Sequence, residues 1–279
     1  MDNSRIFNRA LLRKRRNRAA PQWDNYNFLK REASERLVDC LADIVRPFPL
    51  ALELGCHKGE LAKILPGSDV IKCDLAEKMK PQVVCDEELL PFTPGIFDLA
   101  ASVLSLHHVN DLPGSLIQIR EALKPDGLFM AILFGASTLM ELRGSIIGAS
   151  AQHGFALTPR ISPFVEVRDA GALLQRAGFA LPVVNSETIT VNYNNALDLM
   201  NDLRGMGEAN VLYEQGRGFT SRSHIGAICD FYQTRYAAPE GGITATFEFV
   251  TMTGWKPDAS QQQAAKRGSG KVDLTHALS

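Results

Sequence analysis

The sequence predicts an α/β fold in which a doubly wound, largely parallel sheet of seven strands carries helices on its faces. Three observations predict it. From residue 50 onward, apolar runs of strand length alternate with stretches of helical spacing, the pattern of consecutive strand–helix units. The first run, Leu50-Ala51-Leu52-Glu53-Leu54, passes straight into a turn with two glycines, Gly55 and Gly59, and then into a helix with Leu61, Ile64 and Leu65 on one face. An acid, Asp74, closes the next apolar run, Asp69–Asp74, nineteen residues after Gly55.

The remaining elements follow in order. Residues 4–18 have helical spacing and break at Pro21; Trp23, Tyr26 and Phe28 cluster before a second helix, about 29–45, with Leu37, Leu41, Ile44 and Val45 on one face. After Asp74, a short helix ends at Met79-Lys80-Pro81. Gln82–Cys85 is a third strand closing on Asp86 and Glu87, and Phe97–Leu104 is a fourth. A helix from Leu112 is expected to stop in the turn Leu123-Lys124-Pro125-Asp126-Gly127, before a fifth strand, Leu128–Phe134. A helix at Arg168–Ala177 and strands at Val183–Val191 and Thr244–Thr253 complete the set. The chain divides into a basic helical arm (1–45), a core domain (46–256) with insertions at about 135–167 and 192–240, and a polar tail (257–279) containing Gln261-Gln262-Gln263 and Lys266-Arg267-Gly268-Ser269-Gly270.

At 279 residues the chain suits one large α/β domain with additions. It has no apolar run of about eighteen residues, so no membrane-spanning helix is expected. Met1-Asp2-Asn3-Ser4 leads into no apolar segment, so no secretory signal is expected, and the basic start lacks the serine-rich stretch of a mitochondrial presequence. Five cysteines without a CxxC pair read as reduced buried thiols in a cytoplasmic protein. No metal is expected, because the cysteines lack ligand spacing and no His-x-Asp or His-x-Glu begins an iron facial triad.

Net charge is near zero but uneven. Residues 1–31 hold nine basic side chains against Asp2 and Asp24. Such an arm suits an acidic partner or an anionic membrane surface, with nucleic acid the least expected of these. Equally, it reads as a solvated helix packed on the domain through Ile6, Phe7, Leu11 and Leu12.

The glycine turn is the place to look for a ligand. Strand, turn and helix start direct backbone N–H groups outward and let a ligand approach the chain closely. An acid about twenty residues on, here Asp74, typically accepts hydrogen bonds from a ribose. Glu53, in a buried strand end, requires a cationic or hydrogen-bonding group beside it. Asp86 and Glu87, read from the residues alone, suit a cap for the following turn. The adjacent His107 and His108 leave the fourth strand at the carboxyl edge of the sheet and are expected to point in different directions, so that at most one faces the pocket.

The Glu53-Leu54-Gly55-Cys56-x-x-Gly59 pattern with Asp74 resembles the S-adenosylmethionine (SAM) loop of Rossmann-like class I methyltransferases, although His57 stands where that family usually has a third glycine. Other segments sharpen the match: Ile6-Phe7-Asn8-Arg9, Leu104–Pro113, Arg160-Ile161-Ser162-Pro163-Phe164, Asp202–Asn210 and Thr253–Asp258. They resemble the mitochondrial complex I assembly factor 5 group and its bacterial relatives across nearly the whole chain. That group is also similar to the malonyl-acyl-carrier-protein methyltransferase of biotin synthesis. The resemblance implies an antiparallel last strand, helical lid insertions and SAM as cofactor. It places Glu53, Gly55, Cys56, His57, Gly59, Asp74, Leu75, Asp86, Glu87, Val103, Leu104 and Leu106 around that cofactor. It implies a protein substrate, an arginine of a respiratory complex I subunit being hydroxylated during assembly, near Tyr26, His107, Arg143, Arg160 and Arg204. The implied location is the bacterial cytoplasm, peripheral to the inner membrane, or the mitochondrial matrix in a eukaryote. Two alternatives stay open: methylation of a malonyl thioester whose carboxylate a lid arginine grips, and a non-catalytic SAM-binding assembly chaperone. No catalytic residue is assigned.

Overall fold

A computed structural model describes residues 5–214, 220–262 and 269; of the tail motif, Lys266, Arg267, Gly268 and Gly270 lie outside the described residues. In chain order the elements are α1 (Arg9–Ala19), α2 (Phe28–Ala42), β1 (Leu50–Leu54), α3 (Glu60–Ile64), β2 (Asp69–Asp74), β3 (Val83–Val84), β4 (Phe97–Val103), α4 (Leu112–Ala122), β5 (Leu123–Phe134), α5 (Met140–His153), α6 (Val167–Arg176), β6 (Ala180–Tyr193), α7 (Ala196–Gly205), α8 (Arg222–Arg235) and β7 (Ile243–Trp255). Short 3-10 turns at Glu77–Met79 and Leu106–His108 follow β2 and β4.

The seven strands form one sheet in the order β3-β2-β1-β4-β5-β7-β6. All neighbours are parallel except β7, which runs antiparallel to both β5 and β6. β1 and β4 are near-continuous apolar runs because helices cover both faces. On one face Leu37, Leu99, Leu199, Tyr232 and Phe247 form a core with α2, α5, α7 and α8. On the other, Leu116, Ile119, Phe129 and Leu174 pack α4 and α6 against the sheet. The strand order reverses between β1 and β4, and a crevice opens there at the carboxyl ends of the strands.

Three expectations change at the edges of elements. The helix α4 ends at Ala122 rather than in the following turn, and Leu123 already pairs with Phe97. A register shift between Phe97 and Leu99 takes up the Lys124–Gly127 segment, where Pro125 has no N–H to give to the ladder and Asp126 is left-handed. The helix α3 is a single turn and leaves Ile64 exposed, because Leu65 precedes Pro66 and turns extended. The two insertions contain α5, and α7 with α8; α5 and α8 pack together.

The basic arm packs on the domain. Phe7 and Leu12 join Leu75, Val211 and Leu212 in one apolar cluster, and Ala19, Ala20 and Trp23 join Ala76 and Met79 in another. Backbone bonds from Asn8 N to Val211 O (2.8 Å) and from Tyr213 N to Ile6 O (3.0 Å) tie it to the second insertion. Of the apolar side chains expected to anchor it, Ile6 is instead half exposed.

Candidate functional site

The crevice is built from four turns at the carboxyl ends of β1 to β4. After β1, Gly55, His57 and Gly59 all adopt positive φ. Glycine at 55 is dictated by contact as well as by φ, since a Cβ there would stand 1.9 Å from Ser105 Oγ. Leu104, after β4, is a further left-handed residue on the facing wall. Two non-glycine residues in this region, His57 and Leu104, mark backbone that the surrounding packing must hold in place.

Asp74 closes β2 beside this turn. Its Oδ2 accepts from His57 N (2.9 Å) and its Oδ1 from Ala76 N (2.8 Å). Glu87, after β3, accepts from the Ser105 hydroxyl at 2.6 Å. Cys56, Leu75, Val103 and Leu106 are buried around them. The positions expected to surround a cofactor therefore do come together on one wall. Glu53 lies at the back of it, fully buried, with Oε2 accepting from Ala62 N (3.1 Å) and Oε1 without a hydrogen-bond partner among the described residues.

What the sequence did not reveal is that the arm fills this crevice. The Arg16 guanidinium is completely buried, donating to Ser105 Oγ at 2.9 Å and to Glu87 Oε1 at 3.4 Å, with Asp74 Oδ2 at 3.6 Å. Arg9 pairs with Asp86 (2.6 Å) and Glu87 and donates to the carbonyl of His108 (3.1 Å). Lys30, on α2, donates to Gly55 O (2.7 Å) and Val103 O (2.5 Å), joining the ends of β1 and β4. The Trp23 ring stacks on His57 at 4.4 Å, and its N–H donates to Glu60. No periodicity signals such inward-turned cations; the only hint was the excess of arginine itself.

These contacts set the charges. Burial opposes ionisation at Glu87, but Arg9 and Arg16, with the Ser105 hydroxyl, outweigh it and hold the carboxyl at about 2. Burial pushes Asp74 up, against Arg16. Burial also pushes Glu53 up, to about 7, with Lys30 and the Ala62 N–H opposing. His57 is driven well below its usual value by burial, with Lys30 and Arg16 adding to the effect.

In kind, the wall fits a nucleoside: an acid at the end of β2, a close-approach turn and an unpartnered buried oxygen on Glu53. In space it does not accept one with the arm in this position. The remaining void is about 10 Å³, between Trp23, Tyr26, Lys30, His57, Leu104 and Glu208, whereas small-molecule sites take roughly 300–1,000 Å³. Arg16 and Trp23 must withdraw before such a ligand enters.

Beyond β4 the two histidines behave differently from expectation. Both turn toward Glu208: His107 Nε2 lies 3.1 Å from Glu208 Oε2 and His108 Nδ1 lies 3.8 Å from it. The cause is the 3-10 turn Leu106–His108, in which successive side chains do not alternate as they would on a strand. Burial works against the Glu208 carboxylate, yet the two imidazoles beside it bring it down to about 2. Glu208 follows Gly207, a left-handed residue ending α7. Its segment was legible as a glycine- and arginine-bearing loop, but a partner one hundred residues away leaves no local signature.

The lid arginines do not enter the crevice. Arg160 and Arg204 line a cavity of about 390 Å³ between the two insertions, together with Arg15, Ser162 and Glu208. Arg160 donates to Thr220 (2.6 Å) and Arg204 to Asn201 (3.4 Å). Arg143 opens onto an adjoining cavity of about 540 Å³ and donates to Ala136 O. Tyr26 packs over Gly205, at the edge of the small void.

Comparison with known proteins agrees with the sheet. A family profile described as "Methyltransferase domain" matches residues 52–131. The Bacillus YcgJ protein superposes with a TM-score of 0.54 at 14% identity, over 82% of this chain and 99% of that one. In sequence, the mouse protein "Arginine-hydroxylase NDUFAF5, mitochondrial" is 42% identical over 96% of this chain and 82% of its own. The "Malonyl-[acyl-carrier protein] O-methyltransferase" of Methylovorus is 31% identical over 91% of each. With a methyltransferase domain at its centre and 42% identity extending through the arm and both insertions, the chain belongs to the family of the arginine-hydroxylase NDUFAF5 proteins.

Proposed function

We propose that this chain is a SAM-binding enzyme that modifies an arginine of a protein substrate, by hydroxylation, in the assembly of respiratory complex I. One observation carries the reading: 42% identity to the mouse arginine hydroxylase over 96% of the chain. The crevice supports it. With α1 withdrawn, Asp74 would take the ribose hydroxyls, Gly55 and Gly59 would admit the backbone side of the nucleoside, and Asp86 and Glu87 would meet the base. Val103, Leu104 and Leu106 would flank it, beside Cys56, His57 and Leu75. SAM would supply an electrophilic sulfonium centre but no oxygen. Hydroxylation therefore also requires O2 and an external two-electron reductant, one oxygen atom entering the arginine and the other leaving as water; the protein's part is to bind and orient these groups.

The location that follows is wherever complex I is assembled: the cytoplasmic face of a bacterial inner membrane or the mitochondrial matrix. The exposed Arg5, Arg13, Lys14 and Arg18 on the outer side of the arm suit an anionic surface there. No helix among the described residues is long and apolar enough to cross a membrane.

The test is calorimetric titration with SAM of the native protein and of Asp74→Asn, followed by intact-mass analysis of candidate complex I subunits incubated with the protein. A gain of one oxygen supports hydroxylation, and a gain of one methylene means methyl transfer. No SAM binding, or equal binding by Asp74→Asn, overturns the cofactor assignment.

A second reading has its own observation. Arg160 and Arg204 share one cavity with Arg15, a setting suited to a carboxylate such as that of a malonyl thioester. Methylation of a malonyl thioester, lost in Arg160→Ala or Arg204→Ala, would favour it. Capture of a complex I subunit by Asp74→Asn without any change in the subunit's mass would instead favour a scaffold without catalysis.

A further inference from the structure

We propose that His107, His108 and Glu208 form a binding site for one divalent first-row transition-metal ion, iron(II) or zinc. One donor atom from each of the three side chains lies within 4.8 Å of the others. Donors bound at roughly 2.1 Å stand about 3 Å apart when their bonds meet at a right angle and about 4 Å apart when they oppose. The 3.1 Å from His107 Nε2 to Glu208 Oε2 and the 3.8 Å from His108 Nδ1 to the same carboxylate fall in that range.

Hydrogen bonding within the protein accounts for one edge of this cluster, His107 Nε2 to Glu208 Oε2 at 3.1 Å, but not for His108 Nδ1, which faces the same carboxylate at 3.8 Å without a bond. The histidine side chains are essentially inaccessible to solvent, yet Nδ1 of His107 and Nδ1 of His108 have no hydrogen-bond partner among the described residues. Buried imidazole nitrogens are rarely left so, and the His108 one faces the Glu208 carboxylate. The opposite ring atom, His108 Nε2, has Ser162 Oγ at 3.4 Å. A metal-ligating histidine commonly has such a partner, because donating the second ring N–H fixes the tautomer that leaves the first nitrogen free to bind. Phe134 and Phe164 pack against His107 at 4.9 and 5.7 Å, and Phe7 meets His108 edge-on at 5.4 Å, which fixes the ring planes.

The donor set decides the ligand class. Two imidazoles and one carboxylate suit iron(II) and zinc, whereas calcium and magnesium prefer all-oxygen sets. Three protein donors also leave coordination positions for outside ligands. Glu208 and Ser162 both line the cavity of about 390 Å³ between the two insertions, which is the nearby space from which an outside ligand would come. The absence of a short sequence motif does not argue against the site, because it is assembled by the 3-10 turn after β4 and the turn after α7, one hundred residues apart.

Metal binding is measured without SAM, so its failure and that of the cofactor reading are distinguishable. The tag-free full chain is stripped with chelator, titrated with cobalt(II) as a spectroscopic stand-in, and then offered iron(II) anaerobically or zinc. The site predicts about one ion retained per chain after desalting, with visible cobalt bands that the preferred ion displaces. Glu208→Gln, which keeps shape and hydrogen-bonding capacity, is expected to lose the bands. Ser162→Ala, which removes only the support of His108, is expected to weaken binding roughly 10- to 100-fold. Retention well below one ion per chain, no cobalt bands in the native protein, or undiminished affinity in both variants overturns the site. Should circular dichroism find Glu208→Gln unfolded, the native titration and Ser162→Ala decide. Because divalent affinities rise from iron to cobalt at most such sites, displacement of cobalt reports occupancy only, and the metal content of tag-free protein purified anaerobically identifies the ion.

Discussion

The Arg16 guanidinium stands 3.6 Å from the Asp74 carboxylate, both side chains buried on the floor of the crevice. A cation of the chain's own arm thus sits against Asp74 and Glu87, the acids proposed to hold the cofactor. Replacing Arg16 with Met strands Asp74 without its counter-charge and leaves Glu87 with Arg9 alone. Breaking one partner of a buried pair typically costs about 3–5 kcal/mol. The unliganded variant is expected to melt well below the native protein, while SAM raises its melting temperature by more than it raises the native one. Scanning fluorimetry with and without SAM checks both halves; an unchanged ligand-induced shift would show that the arm does not compete.

Glu53 makes stability depend on pH in a stated direction. Its folded value is raised from 4.5 to about 7. Between those values the native state therefore holds a proton that the unfolded chain has released, and stability falls as pH rises through the window. In Glu53→Gln that contribution vanishes. The variant's advantage over the native protein should grow from pH 4.5 to pH 7 and approach about 3 kcal/mol. Urea denaturation of both proteins across the window measures it, and parallel curves would refute the assignment.

Two glycines separate backbone conformation from close approach. Gly154 and Gly55 have similar positive φ, 66° and 61°, but a Cβ at Gly154 meets nothing within 4 Å, whereas at Gly55 it strikes Ser105 Oγ at 1.9 Å and Ser105 Cβ at 2.2 Å. Gly154→Ala should cost about 1 kcal/mol, the left-handed penalty alone. Gly55→Ala should cost at least about 3 kcal/mol, because the Ser105 side chain must also move. Chemical denaturation of the pair isolates the difference.

Trp23 is expected to be the main apolar clasp of the arm. It is 2% exposed, stacks on His57 and donates to Glu60 at 2.7 Å. Trp23→Ala should lose about 3–5 kcal/mol and speed tryptic cleavage at Arg13, Lys14 and Arg18. Cleavage at the native rate would mean that the ion pairs of Arg9 and Arg16 hold the arm without it.

The parts of the crevice legible in the sequence were those made by one continuous stretch. Leu50 to Gly59 announces strand and turn through local pattern, and Asp74 is found by its distance along the chain. Arg16, Lys30 and Glu208 act on the same region from distant segments, and their role depends on which way a long side chain turns after packing. The adjacent His107 and His108 were misjudged for a related reason. Alternation holds on a strand, but the chain has already left β4 for a 3-10 turn when it reaches them. The edges of α4 and β5 were missed because Pro125 and Gly127, which ordinarily end a helix, here sit inside a bulged strand.

The Lys30 ammonium settles how far the arm can open. It clamps carbonyls at the tips of two neighbouring strands from within α2, so that helix cannot travel without unpinning the sheet. Any uncovering of the crevice must therefore pivot in the short link from Ala20 to Asn27, letting α1 swing while α2 stays as its fixed post.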